Sequence, residues 1–224
     1  MLNVKNKELV IPGTILADEE YRPSEGAHKQ GSNVVASVVG FVDVFKNEIN
    51  VIGFEGVYDP IVGDVIIGIV EDAGHNCWFV DTNSPYSALL SASDVKKDNQ
   101  YVEDLREILD SGDIIVAKIV SMDYNKQIKI STLDSDLGKA EGYLVHVSPK
   151  KVARIIGKKG SMISNLKNYT KSNFIVGKNG RILIQGGDVA KSVSIVKLIE
   201  REAHTSGLTN RVKNLLQEDA KSAK

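Results

Sequence analysis

The sequence predicts a multidomain chain, mainly β in its first part and α+β in its last, and three observations carry that expectation. Its 224 residues exceed the usual size of one small core, so two or three compact modules are expected. Up to residue 136, β-branched and apolar residues come in short runs separated by Gly, Pro, Asn and Asp, the pattern of small β modules. After Leu137-Gly138-Lys139 the apolar spacing lengthens to that of helices and the charge reverses: residues 1–138 carry 11 Lys/Arg against 23 Asp/Glu, a net of −12, whereas residues 139–201 carry 13 against 3, a net of +10. The whole-chain net of −1 hides this dipole. It points to a polyanion for the basic part and to a protein partner for the acidic part. The expected modules are 1–60, a small β domain; 61–136, a five-stranded barrel; 137–207, an α+β domain; and 208–224, a helical tail.

Composition narrows the function. With 42% hydrophobic and 25% charged residues the chain has the make-up of an ordinary globular protein. No apolar run approaches the roughly 20 residues that span a bilayer, and Met-Leu-Asn-Val-Lys-Asn-Lys lacks the apolar core of a secretory signal, so no membrane partner and a cytoplasmic location are expected. The single Cys77 excludes an intrachain disulfide framework, and with four scattered His residues neither a metal site nor a cofactor is expected.

In the first module, Leu9-Val10-Ile11 and Thr14-Ile15-Leu16 flank a Pro12-Gly13 turn as two short strands. Residues 19–33, polar and holding Pro23, Gly26, His28 and Gly31, read as a loop with His28 solvated. The apolar run 34–44, the turn Lys46-Asn47-Glu48 and the return 49–52 read as a hairpin. No acid/base constellation is present.

The second module shows five strands, at 63–70, 76–81, 87–91, 113–122 and 127–133, with a helical insert at 101–109 between the third and fourth. That is the plan of an OB-type barrel, a fold that often binds oligonucleotides. Gly63-Asp64 and Gly112-Asp113 at the openings of strands one and four, and the closing phrase Asp123-Tyr124-Asn125-Lys126-Gln127-Ile128-Lys129-Ile130-Ser131, resemble the ribosomal-protein-S1-type version. Such barrels stack bases on exposed aromatics beside basic residues. The strand period of two sends Trp78 and Phe79 to opposite faces; the S1 resemblance places Trp78 outward and Phe79 in the core. Tyr86, Lys118, Lys126 and Lys129 are the candidates to complete that surface. Ser91 stands where many S1 members have His, so one stacking group of the family is missing, and the surrounding acids point to a barrel that guides RNA weakly.

The third module orders a strand at 142–147, a helix from Ser148-Pro149 to Ile156, a helix at 161–169, strands at 173–176 and 181–185, and a helix capped by Asp188 that runs through Glu202. Between the first two helices lies Gly157-Lys158-Lys159-Gly160. Glycines let a phosphodiester approach the backbone closely, the loop N–H groups and the next helix start attract anionic oxygens, and two lysines add charge. Strand-helix-helix-strand-strand-helix with such a loop is the KH module, whose loop clamps about four nucleotides of single strand. Arg154 is expected at the groove entrance, with Ile156 and Ile163 as its apolar floor. Gly177-Lys178-Asn179-Gly180 repeats the tetrapeptide but joins two strands, so it reads as a type I′ hairpin turn. The tail, 208–218, reads as a short amphipathic helix.

The order β domain, S1-type barrel, KH module resembles the KH-bearing RNA-binding cap subunit of the archaeal exosome. The resemblance rests on Pro12-Gly13, Val35-Ala36-Ser37-Val38-Val39-Gly40, Tyr58-Asp59-Pro60-Ile61-Val62-Gly63-Asp64-Val65, Val80-Asp81-Thr82-Asn83-Ser84-Pro85-Tyr86 and residues 155–163. It implies a non-catalytic subunit, three copies on a hexameric ring of RNase PH-type subunits, with the N-terminal domain docked on the ring and the barrels lining the pore. It further implies capture of single-stranded RNA, adenine-rich tails included. The exosome cap that carries a zinc ribbon is excluded by the single cysteine. Two other readings remain: a free-standing translational regulator or RNA chaperone, and a phosphorolytic exonuclease, whose family places KH before the barrel and a large catalytic core first.

Overall fold

The computed structural model describes residues 1–95, 104–203, 208 and 211–212. The chain divides into two compact units, Met1–Gly56 and Val57–Lys224.

The first unit holds seven short strands: β1 (Leu9–Val10), β2 (Ile15–Asp18), β3 (Arg22–Pro23), β4 (Ala27–Gln30), β5 (Asn33–Ala36), β6 (Gly40–Phe45) and β7 (Glu48–Gly53). They form two sheets, ordered β1-β6-β7-β3 and β2-β5-β4, around a core that includes Leu16, Val34, Val42, Ile49 and Val51. The expected loop 19–33 is therefore corrected to two strands. Its polarity concealed them because β4 is an edge strand whose residues are mostly exposed; its ladder with β5, from Ala27↔Ala36 to Gln30↔Asn33, holds it in place of burial. His28 sits on that strand with Nδ1 2.8 Å from the Ser37 hydroxyl.

The second unit opens with β8 (Val65–Ala73), β9 (Cys77–Asp81), β10 (Ala88–Ser91), β11 (Ile114–Met122) and β12 (Ile128–Ser131). Their order β12-β10-β9-β8-β11 closes on itself through β11–β12, which makes the expected five-stranded barrel. Inward residues such as Ile66, Val80, Leu90, Ile119 and Ile130 fill it. Of the expected helical insert, residues 101–103 lie outside the described residues, and Leu105–Glu107 form one 3-10 turn. The break after residue 137 is not a bare linker: β13 (Gly138–Lys139) adds to β11 at the sheet edge.

The KH-type module follows with β14 (Tyr143–His146), α1 (Val152–Ile156), α2 (Ser161–Thr170), β15 (Asn173–Val176), β16 (Arg181–Gln185) and α3 (Val189–Arg201). The sheet order is β14-β16-β15, all antiparallel. The helices pack Val152, Ile155, Met162, Leu166, Val196 and Ile199 onto the sheet's Val145, Phe174, Ile182 and Ile184. Asp188 caps α3 by accepting from Lys191 N at 3.0 Å. Ser148 does not cap; its place is taken by a 3-10 turn, Pro149–Lys151, ahead of α1, and its backbone N–H donates to Glu200. Of the tail, Leu208 and Val212 are helical and buried on the same core; residues 209–210 and 213–218 of the expected helix lie outside the described residues.

Candidate nucleic-acid interface

The glycine loop lies where the α1 axis ends. Gly157 has φ 75° and ψ 173°, a region that only glycine occupies without strain, and a Cβ there would fall 2.7 Å from that of Met162. Lys159 (φ 51°, ψ 31°) and Gly160 (φ 75°, ψ 11°) are left-handed, which turns the chain into α2 within four residues. Gly160 gives α2 no side-chain cap, and the Ser161 N–H at the start of that helix turns back to donate to the Lys158 carbonyl. Lys158 and Lys159 are exposed at the turn, and Ile156 and Ile163 sit half-buried on either side of it. These six residues are thus brought together. Arg154 departs from expectation: its Nε donates to the Ala203 carbonyl at 2.9 Å, which fastens it to the chain leaving α3.

On the barrel the aromatic assignment is reversed. Trp78 is completely buried in the barrel core, with Nε1 donating to the Leu109 carbonyl at 2.9 Å, and Phe79 is 43% exposed. Period two fixed only that the pair splits; the phase is set by the larger indole, which fills the barrel and has a carbonyl for its one donor. Outside, Phe79 pairs across the sheet with Leu89, and Leu89 pairs with Lys129, giving an aromatic–aliphatic–cation row over β9, β10 and β12. Beyond one end of this row the Lys126 ammonium stands 5.9 Å from the centre of the Tyr86 ring. Lys118 does not join them: it pairs with Asp134 at 3.4 Å and lines a cavity of about 270 Å³ with Val62, Val120 and Leu137.

The second glycine tetrapeptide does more than turn the chain. It connects β15 to β16 as expected, but it is not type I′, because within it only Gly180 has positive φ. Asn179 is instead inserted into the barrel. Strand β9 stops at Asp81 opposite Ile69, which leaves the N–H and C=O of Ile67 past its end. The Asn179 amide takes both, at 3.2 and 2.8 Å, and donates to the Thr82 carbonyl at 2.8 Å. Asn83 Nδ2 returns a bond to the Asn179 carbonyl at 2.7 Å, and Lys178 N donates to Val65 O at 2.9 Å. Buried Arg181 donates to the Asp81 carbonyl at 2.7 Å and pairs with its carboxylate. Burial raises the Asp81 pKa, but the Asn83 N–H and the Arg181 guanidinium outweigh it, and the carboxyl lies below its ordinary range. His146, on β14 beside this pair, is held below the usual imidazole value by burial and by Arg181, against the opposing pull of Asp81. The sequence reading missed Asn179 and Arg181 as a clasp between barrel and KH module.

Three family models match in this order: the exosome complex exonuclease RRP4 N-terminal region over 9–44, the RRP4 S1 domain over 57–121, and a KH domain over 142–190. The exosome complex component Rrp4 of Methanobrevibacter smithii is 41% identical over 96% of this chain and 73% of its own length. That of Thermofilum pendens is 38% identical over 99% and 97%. The chain belongs to the exosome Rrp4 family. A crystal structure assigned as an exosome complex RNA-binding protein superposes with a TM-score of 0.67 at 37% identity, over 75% of this chain and all of that one. In Rrp4-family terms, the N-terminal region falls in the 1–56 unit, while the S1 and KH modules share the second unit, joined by the Asn179 clasp. Among the described residues no group of His, Cys, Asp and Glu is arranged to hold a metal ion, and no helix is long and apolar enough to cross a membrane.

Proposed function

We propose that this chain is a non-catalytic RNA-binding cap subunit of an exosome, which captures single-stranded RNA, adenine-rich tails included, and guides it into a ring of RNase PH-type subunits carrying three such caps. The observation that carries the reading is the Gly157–Gly160 turn: two exposed lysines stand on a tight turn whose Gly157 conformation only glycine adopts without strain, in the basic part of the chain. The Phe79–Leu89–Lys129 row is the matching barrel contact, a stacking surface with one cation beside it. Arg154 and Lys118 serve the fold through the partners named above, and RNA contact passes to Lys158, Lys159, Lys129 and Phe79. Membership in a family whose members are named exosome components supports assembly with other subunits. The acidic first unit needs no RNA charge to serve as the docking part.

The test uses Lys158→Asp with Lys159→Asp, since substitution of Gly157 collides with Met162. The double variant is expected to bind RNA more weakly than the wild type and still to assemble with the ring subunits, measured by anisotropy titration and by native mass spectrometry. The isolated chain is expected to release no nucleotides from RNA in the presence of phosphate. Nucleoside diphosphate release, or a native mass that contains this chain without ring subunits, contradicts the reading.

A further inference from the structure

Asn179-Gly180 is the one Asn-Gly pair in the chain. Asparagine is a labile residue, and most labile before glycine, which has no side chain to shield its N–H from the neighbouring amide. The structure leaves no substitute for either residue. Asn179 is fully buried, and its amide both donates to and accepts from the barrel, at Ile67 and Thr82. Gly180 has φ 80°, and a Cβ on it would collide with the Val147 carbonyl oxygen. A Cβ on Gly177 would collide with the Asn179 amide oxygen. The clasp between barrel and KH module is therefore built on the most reactive peptide link in the sequence.

The contacts that need the amide also keep it from reacting. Deamidation begins when Gly180 N, having given its proton to base, attacks Asn179 Cγ; the N–Cγ bond forms and the amide nitrogen leaves as ammonia. Water then opens the succinimide, at Cγ to give aspartate or at the Asn179 backbone carbonyl carbon to give isoaspartate. In the closed clasp Gly180 N donates to Gly177 O at 3.3 Å, and the Asn179 amide is held on the barrel instead. To reach Gly180 N the side chain has to release Ile67 and Thr82 together. The backbone on either side is pinned as well: Asn83 Nδ2 donates to Asn179 O and Val147 N to Gly180 O, both at 2.7 Å. Once formed, the product cannot remake the joint. A carboxylate has no donor for the Thr82 carbonyl, and Arg181 is left to bond Ile67 O alone. Isoaspartate also moves a methylene from the side chain into the backbone of the turn.

We propose that Asn179-Gly180 is a gated deamidation site: the closed clasp preserves it, separation of the KH module from the barrel exposes it, and its conversion keeps the two from rejoining. The joint ages in one direction, at a rate set by how often it opens. This behaviour depends on the clasp alone and is independent of RNA binding at the Gly157–Gly160 loop.

The experiment follows the full chain in mildly alkaline buffer by peptide mapping in heavy-oxygen water, which labels each new carboxylate. Asn179 is expected to convert at least about 30-fold more slowly in native buffer than in concentrated urea, because buried hydrogen bonds have to open first. Asn83→Ala, which loosens the clasp without touching the reacting pair, is expected to raise the native rate at least about 2-fold, the worth of one hydrogen bond. Exchange of the Ile67 N–H should rise by the same factor, while the Ile66–Ala117 and Gly68–Ile115 pairs on the other side of β8 keep their wild-type rates. Chain converted in alkaline urea and refolded should show rapid Ile67 exchange. Chain held equally long in mildly acidic urea, where Gly180 N keeps its proton, should regain protection. Equal rates in native buffer and urea, an Asn83→Ala rate equal to that of the wild type, or a protected Ile67 N–H in converted chain overturns the proposal. Equal acceleration of the Ile66 and Gly68 amides in Asn83→Ala overturns it too, since the gate would then be unfolding of the whole barrel.

Discussion

Replacing Asn179 with Ala removes three buried side-chain hydrogen bonds between the KH module and the barrel. The Ile67 carbonyl keeps a partner in Arg181, at 3.2 Å. The Ile67 N–H and the Thr82 carbonyl lose the amide that satisfies them, and a buried polar group left unpaired costs about 1–3 kcal/mol, so the pair together costs about 2–6 kcal/mol. For a unit of this size each kcal/mol moves the thermal midpoint by about 2–4 °C. The lower bound therefore predicts a fall of at least about 4 °C in the transition of the second unit, followed by calorimetry. Amide exchange localises the effect: the Ile67 N–H, protected in the wild type, should exchange orders of magnitude faster, whereas the Ile66–Ala117 and Gly68–Ile115 pairs on the other side of β8 hold. A midpoint within about 1 °C of wild type together with an unchanged Ile67 exchange rate refutes the idea that Asn179 completes the strand.

Trp78→Ala empties the barrel core and should destabilise it by about 3–5 kcal/mol in a denaturant titration, while Phe79→Ala should leave stability near wild type and weaken RNA binding about 5- to 100-fold. Gly157→Ala, strained at φ 75°, ψ 173° and crowded by Met162, should lose at least about 2 kcal/mol, and Gly160→Ala, in the left-handed region with open space, about 1 kcal/mol; comparing urea midpoints separates them. Folding lowers the pKa of His146, so its neutral ring contributes stability that is fully present above about pH 6.5 and is lost as the pH falls through the lower folded value; Asp81, also lowered, adds a second loss below about pH 4. Midpoints measured from pH 7 to 3 should fall in both windows, and His146→Gln should flatten the first.

Local chemistry made most of the architecture legible. The alternation of apolar residues marked the barrel strands, and Asp188, Pro149 and the paired glycines marked where the third module turns. What stayed hidden depends on distant partners. Whether Trp78 or Phe79 faces inward is a matter of phase against strands that close only in three dimensions. Asn179 looked like a turn residue because its three partners, at Ile67 and Thr82, lie about a hundred positions earlier in the chain. Arg154 looked like a groove residue on helical spacing alone, and its anchor at Ala203 arrives only after α3 has folded back. The polar edge strand β4 shows no alternation because its ladder, not burial, sustains it. The Gly157–Gly160 loop was readable because all of its machinery is local: two glycines, two lysines and the helices on either side.

The salt dependence of RNA binding tests the central claim most directly. Each single-strand phosphate neutralised contributes about 0.7 to the slope of log affinity against log salt. If Lys158 and Lys159 each hold one phosphate, then Lys158→Gln with Lys159→Gln should lower the slope by about 1.4 and reduce the affinity for single-stranded RNA. An affinity and a slope equal to those of the wild type contradict the assignment of this loop as the backbone clamp.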